Sequence, residues 1–156
     1  MRAREYLYVR TTEPVAAEAE YLRKLYDLEP IPDGADEPDE IGLRGPARTA
    51  DATVGYEIQP NTYVVFEPEP QEVQAIDGYP VEIAVWLGRD EGTQRQEARL
   101  VFEDHVRTRP DVPVLLCHDV SALIAAYLPE KGVYDFPPGT TIDAAHQDRW
   151  RDWALA

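Results

Sequence analysis

Val81-Glu82-Ile83-Ala84-Val85-Trp86-Leu87 reads as a strand, and the chain that follows it decides the fold. In extended backbone Val81, Ile83, Val85 and Leu87 line one face, while Glu82, Ala84 and Trp86 line the other. A tryptophan on the less apolar face predicts either two covered faces or one end near a cleft. Gly88-Arg89-Asp90-Glu91-Gly92 ends the strand. From Thr93, a residue able to cap, Ala98, Val101, Phe102, His105 and Val106 recur at helical spacing until Pro110 stops them. Val112-Pro113-Val114-Leu115-Leu116-Cys117 is again a strand, expected near an edge at its start because Pro113 has no N–H for a ladder. A helix joining two such strands predicts a crossover within one sheet.

Working towards the N-terminus, Tyr6-Leu7-Tyr8-Val9-Arg10-Thr11 is a short β-favouring segment. Thr12 is placed to cap a helix with Pro14 in its first turn, carrying Val15, Ala19, Leu22 and Tyr26 and ending before Pro30. Residues 29 to 50 offer little to bury and read as a long acidic loop, with Asp36, Glu37, Asp39 and Glu40 at its acidic centre. Thr53 to Ile58 and Thr62 to Glu67 predict a hairpin turning at Gln59-Pro60-Asn61.

Working towards the C-terminus, Asp119 is placed to cap a short helix carrying Leu123, Ile124, Tyr127 and Leu128, stopped by Pro129. Gly132 to Gly139 reads as an aromatic loop. A terminal amphipathic helix from Thr140 or Thr141 carries Ile142, His146, Trp150 and Trp153 on one side. The expected architecture is a single α+β domain over residues 1 to 156, with a mixed or antiparallel sheet covered by helices. Its leading topology is a ferredoxin-like split βαβ core with an additional strand and C-terminal helices.

The chain has 156 residues, enough for one domain to bury a core without disulfide or metal. Its 30 acidic and 15 basic residues give a net charge of -15. That surface repels a phosphate backbone and argues against nucleic acid as partner, whereas a basic protein would be attracted. No run approaches the 18 apolar residues of a membrane span and no apolar leader follows Met1, so a cytoplasmic protein without membrane association is expected. Cys117 is the only cysteine, which removes disulfides within the chain and every Cys-x-x-Cys pair.

Cys117-His118-Asp119 is the one compact group with reactive potential: a thiol where a strand gives way to a helix, a neighbouring base, and a carboxylate to orient it. Adjacent side chains on extended backbone diverge, however, and Asp119 has a simpler task as a cap. His105, His118 and His146 show no metal-ligand spacing, so no metal is expected. Glycine-rich nucleotide loops and a Gly-x-Ser-x-Gly elbow are absent, and no cofactor is expected. Tyr6 and Tyr8 share one side of the first strand and, with Tyr56, Tyr63 and Trp86, form a candidate aromatic interaction face. Trp150 and Trp153 are expected to dock the last helix on its own domain, or otherwise to anchor a homodimer or a foreign partner.

Charge, acidic loop and aromatic segments together favour a non-enzymatic interaction module, such as an inhibitor or neutralising partner of a basic protein. The alternatives are a small hydrolase or transferase using Cys117 with His118, and a small-ligand binder with an aromatic pocket.

Overall fold

The computed structural model describes residues 3–32, 39–88 and 90–154. Among these, eight strands form one antiparallel sheet, joined by helices into an α+β fold. The strands are β1 (Glu5–Val9), β2 (Glu29–Pro30), β3 (Ile41–Pro46), β4 (Thr53–Pro60), β5 (Val81–Leu87), β6 (Val114–His118), β7 (Ala122–Leu128) and β8 (Gly132–Asp135). The helices are α1 (Val15–Tyr26), α2 (Glu91–Thr108) and the single turn α3 (Gln147–Trp150). Spatial order is β2-β3-β4-β5-β1-β6-β7-β8. β3, β4 and β5 therefore lie between β1 and β2, the strands that α1 joins, and β1 lies between β5 and β6, the two that α2 joins.

Leu7, Val9, Ile58, Ile83, Val85, Val114 and Leu116 face α1 and α2 and form the larger core. Tyr8, Leu115, Cys117, Leu123 and Ala126 face the other way, under Ala75, Ile76, Tyr79, Ile142 and Trp150. The sheet is thus buried on both faces at its centre, which is why β6 and β7 read as nearly continuous apolar runs rather than as alternating strands.

That two-sided burial corrects the expected helix after Asp119. Ala122–Leu128 is a strand paired with β6, because its apolar residues satisfy a covered strand as well as a helix face. Asp119 sits in the tight turn between them in the left-handed region, with φ 55, and its carboxylate accepts from Val120 N. β8 occupies part of the expected aromatic loop. The expected long terminal helix is only a 3-10 turn at Ala144–His146 followed by α3. Trp150 nevertheless docks on its own domain, fully buried, with Nε1 donating to Asp143 O at 3.0 Å.

The region expected as one long loop over residues 29 to 50 contains β2 and β3. Gly45 makes this possible despite the poor apolar content, since a Cβ there would meet Leu28 Cδ2 at 2.5 Å. Asp36 and Glu37 lie outside the described residues; Asp39 is exposed and Glu40 half-buried. The expected hairpin is also different: β4 continues to Pro60, and its partners are β3 and β5. Asn61 fastens the chain there by donating to Ile76 O at 3.0 Å and Tyr79 O at 2.9 Å, so residues 62 to 67 leave the sheet instead of returning along it.

Three boundaries have local causes. Asp90 starts α2 by accepting from Gly92 N and Thr93 Oγ1, each at 2.9 Å, so Thr93 is inside the helix. At α1, Pro14 O receives Ala17 N at 3.0 Å, while Thr11 rather than Thr12 orders the preceding turn by accepting from Glu13 N at 3.0 Å. β6 is internal, between β1 and β7; Pro113 stands just before it and needs only its carbonyl, which accepts from Arg10 N at 3.0 Å.

Candidate functional site

On the face opposite α1 and α2, the segments over β6 and β7 leave the ends of β1, β4 and β5 less covered. Alternation places Tyr6, Glu57, Gln59 and Trp86 there, each half-buried, with Glu82 and Ala84 on the same face but fully buried. Trp86 crosses β4 at Gly55, where any Cβ would collide with Trp86 Cε2 and Cζ2. The Arg4 guanidinium lies over the indole, 4.4 Å from its centroid, and reaches Glu57 at 3.3 Å. This stack holds a large aromatic flat and half-buried.

Beside it, Tyr6 stacks on Tyr8 with ring centroids 6.2 Å apart. Tyr8 is buried and donates to Glu82 Oε1 at 3.1 Å; Gln59 Nε2 donates to the other carboxylate oxygen. Burial pushes the Glu82 carboxyl above its ordinary range, against the opposing hydrogen bonds from Gln59 and Tyr8. Burial, followed by the neighbouring Tyr63 and Glu82, pushes the Tyr6 phenol up to about 12. Tyr56, included above among the candidate face residues, belongs to the other side: it is buried under α1 and stacks on Tyr26 with centroids 6.1 Å apart. Register explains the difference, because Tyr56 pairs with Val85 and shares its face.

Among the described residues, the most exposed apolar segment borders this surface. Tyr63, Val64, Val65 and Phe66 are all exposed, and Phe66 keeps 89% of its surface open. Gln74 Nε2 holds the segment by donating to Tyr63 O at 2.7 Å. A cleft of about 570 Å³ lies against it, lined by Val64, Phe66, Val73, Asp77 and Gln147 among others. Glu67, Glu69, Glu72 and Asp77 surround it in sequence. Trp153 stands apart, half-buried and stacked on Tyr134 with centroids 4.6 Å apart.

Cys117, His118 and Asp119 do not converge. The Cys117 side chain is buried in the smaller core, and burial, with Glu82 and Glu5 adding to it, pushes the thiol well above its ordinary value. His118 lies on the opposite face of β6, where Nδ1 meets Glu5 Oε1 at 2.8 Å and Nε2 meets Arg95 at 2.8 Å. Glu5 and Arg95 were not legible as partners, although a carboxylate in line with Leu7 and Val9 is a signal of a buried polar contact.

A second buried group clamps α1 to α2. Glu18 Oε1 lies 2.9 Å from His105 Nε2, and Glu18 Oε2 accepts from Arg109. Burial opposes the Glu18 charge, but hydrogen bonding and attraction from His105 and Arg109 prevail and hold its pKa below the ordinary value. Among the described residues, no group of three or more metal-ligating side chains converges, and no helix is long and apolar enough to cross a membrane. No family model matches the chain, and neither a curated protein nor a solved structure matches it.

Proposed function

We propose that this chain is a protein-interaction module that docks on a basic partner through the 63–66 segment and the adjoining Trp86 surface. The observation that carries the proposal is the exposed run Tyr63-Val64-Val65-Phe66 set among Glu57, Glu67, Glu69, Glu72 and Asp77. Apolar and aromatic anchors within a charged rim are the anatomy of an interface whose centre supplies affinity and whose rim speeds encounter. A net charge of -15 makes that rim complementary to a cationic protein and opposes close approach of a second copy. An inhibitory or neutralising role is the activity such a surface would serve. The same chain order supports a ferredoxin-like reading of the central β4-β5-β1-β6 unit with α1 and α2.

The test compares salt-dependent capture by the intact protein and by Phe66→Ser, with sedimentation velocity of each alone. The expected partner is basic, elutes with salt, and loses affinity by at least about 30-fold with the variant, the effect of an interface anchor worth about 2 kcal/mol. Equal capture by the two proteins, or a self-associated species that depends on Phe66, overturns the proposal.

A further inference from the structure

The sheet is wider than the two helices that cover it. α1 packs on β3 and β4, and α2 on β5, β1 and β6. Between α2 and the β6–β7 hairpin this leaves a recess of about 530 Å³, within the usual size range of small-molecule sites. Leu100, Leu116 and Ile124 supply its apolar lining. Ile124 is delivered by a β-bulge: Leu116 pairs with Ala125 and Cys117 with Leu123, leaving Ile124 as the extra residue.

Arg95, Arg99 and His118 stand at the same recess, with Glu5 beside them. Their placement is built from behind by buried groups. Glu5 accepts from His118 Nδ1 at 2.8 Å and, through its other oxygen, from Gln94 Nε2 at 2.7 Å. Gln94 in turn accepts from Leu87 N at 2.9 Å. A carboxylate is an acceptor and a guanidinium only a donor, so His118 carries its proton on Nδ1 and receives Arg95 at Nε2. Arg99 is committed elsewhere, to Asp135 at 2.5 Å and Glu103 at 3.2 Å. Arg95 has no carboxylate partner among the described residues.

We propose that this recess binds a small organic monocarboxylate, with its apolar tail against Leu100, Leu116 and Ile124 and its carboxylate on Arg95. The guanidinium fork matches a carboxylate in two parallel hydrogen bonds, and the lining rewards a hydrocarbon tail. One arginine neutralises one negative charge, whereas a dianionic phosphate would face the acidic envelope and the nearby Glu5. The recess lies on the helix-bearing face, away from Phe66, so it stands independently of the proposed protein-docking surface.

Octanoate is the probe, titrated calorimetrically into the full chain, with octylamine and 1-octanol as controls and methyl NMR to locate the site. One octanoate per chain is expected, with a Kd between about 10 μM and 1 mM, and each control at least about tenfold weaker. Arg95→Gln should weaken octanoate at least about tenfold, Arg95→Lys should recover part of the loss, and Ile124 should show the methyl shift. Because Arg95 is exposed, these variants should retain the native circular dichroism. No saturable binding by about 5 mM, equal affinity for the alcohol, an unchanged Kd in Arg95→Gln, or shifts confined to the Val64 and Val65 methyls would each overturn the site.

Discussion

Glu18→Gln removes one negative charge from the clamp between α1 and α2 while preserving most of its shape. Glu18 and His105 side chains are each 1% exposed, whereas Arg109 is 19% exposed. Breaking a buried ion pair costs about 3–5 kcal/mol, chiefly because the remaining partner is left uncompensated. Arg109 retains some access to water, which places this loss near the lower end, about 3 kcal/mol. For a domain of this size, that lowers Tm by about 6–12 °C. Acid should close the gap. The folded Glu18 pKa lies below its ordinary value of 4.5, so its stabilisation is complete above the unfolded pKa and disappears as pH falls through the folded one. Thermal and urea unfolding, each followed by far-UV and near-UV circular dichroism from pH 7 to pH 3, measures both effects. A pH 7 midpoint within about 2 °C of wild type, or a difference that widens on acidification, would refute this account of the clamp.

Three further outcomes test other parts of the structure. Gly55→Ala should expel Trp86 from its seat on β4, costing about 1–3 kcal/mol and shifting tryptophan fluorescence towards the red; an unchanged spectrum would refute the contact. Trp150→Ala should cost about 3–5 kcal/mol in urea melts, since the buried indole closes the smaller core and donates to Asp143 O. Cys117 should resist iodoacetamide at pH 8 in the folded protein and react promptly in denaturant, because burial opposes its thiolate; equal rates in the two states would contradict that environment.

Part of this organisation was legible residue by residue. Val81, Ile83, Val85 and Leu87 alternate, and α2 has both its apolar stripe and Pro110 beyond its end. The Ala122–Leu128 segment was misread because a strand covered on both sides loses its alternation. Thr62 to Glu67 was misread in the opposite direction. Its β-favouring composition suits a strand, but Asn61 directs the chain away from β4 and β5 takes the vacant edge.

The candidate surfaces show the same division. Their chemical ingredients were visible in sequence: acidic excess, tyrosines, Trp86 and His118. Their partners were not, because Glu5 reaches His118 across 113 residues and Arg95 reaches it across 23. By itself the sequence determined an acidic α+β chain with β1, α1, β5 and α2, since local periodicity and chain-breaking residues operate over a few neighbours. Only tertiary structure decided that Tyr56 is buried while Phe66 is exposed, and that Cys117 and His118 face different surroundings, because strand register and the covering of each sheet face are set by contacts between distant parts of the chain.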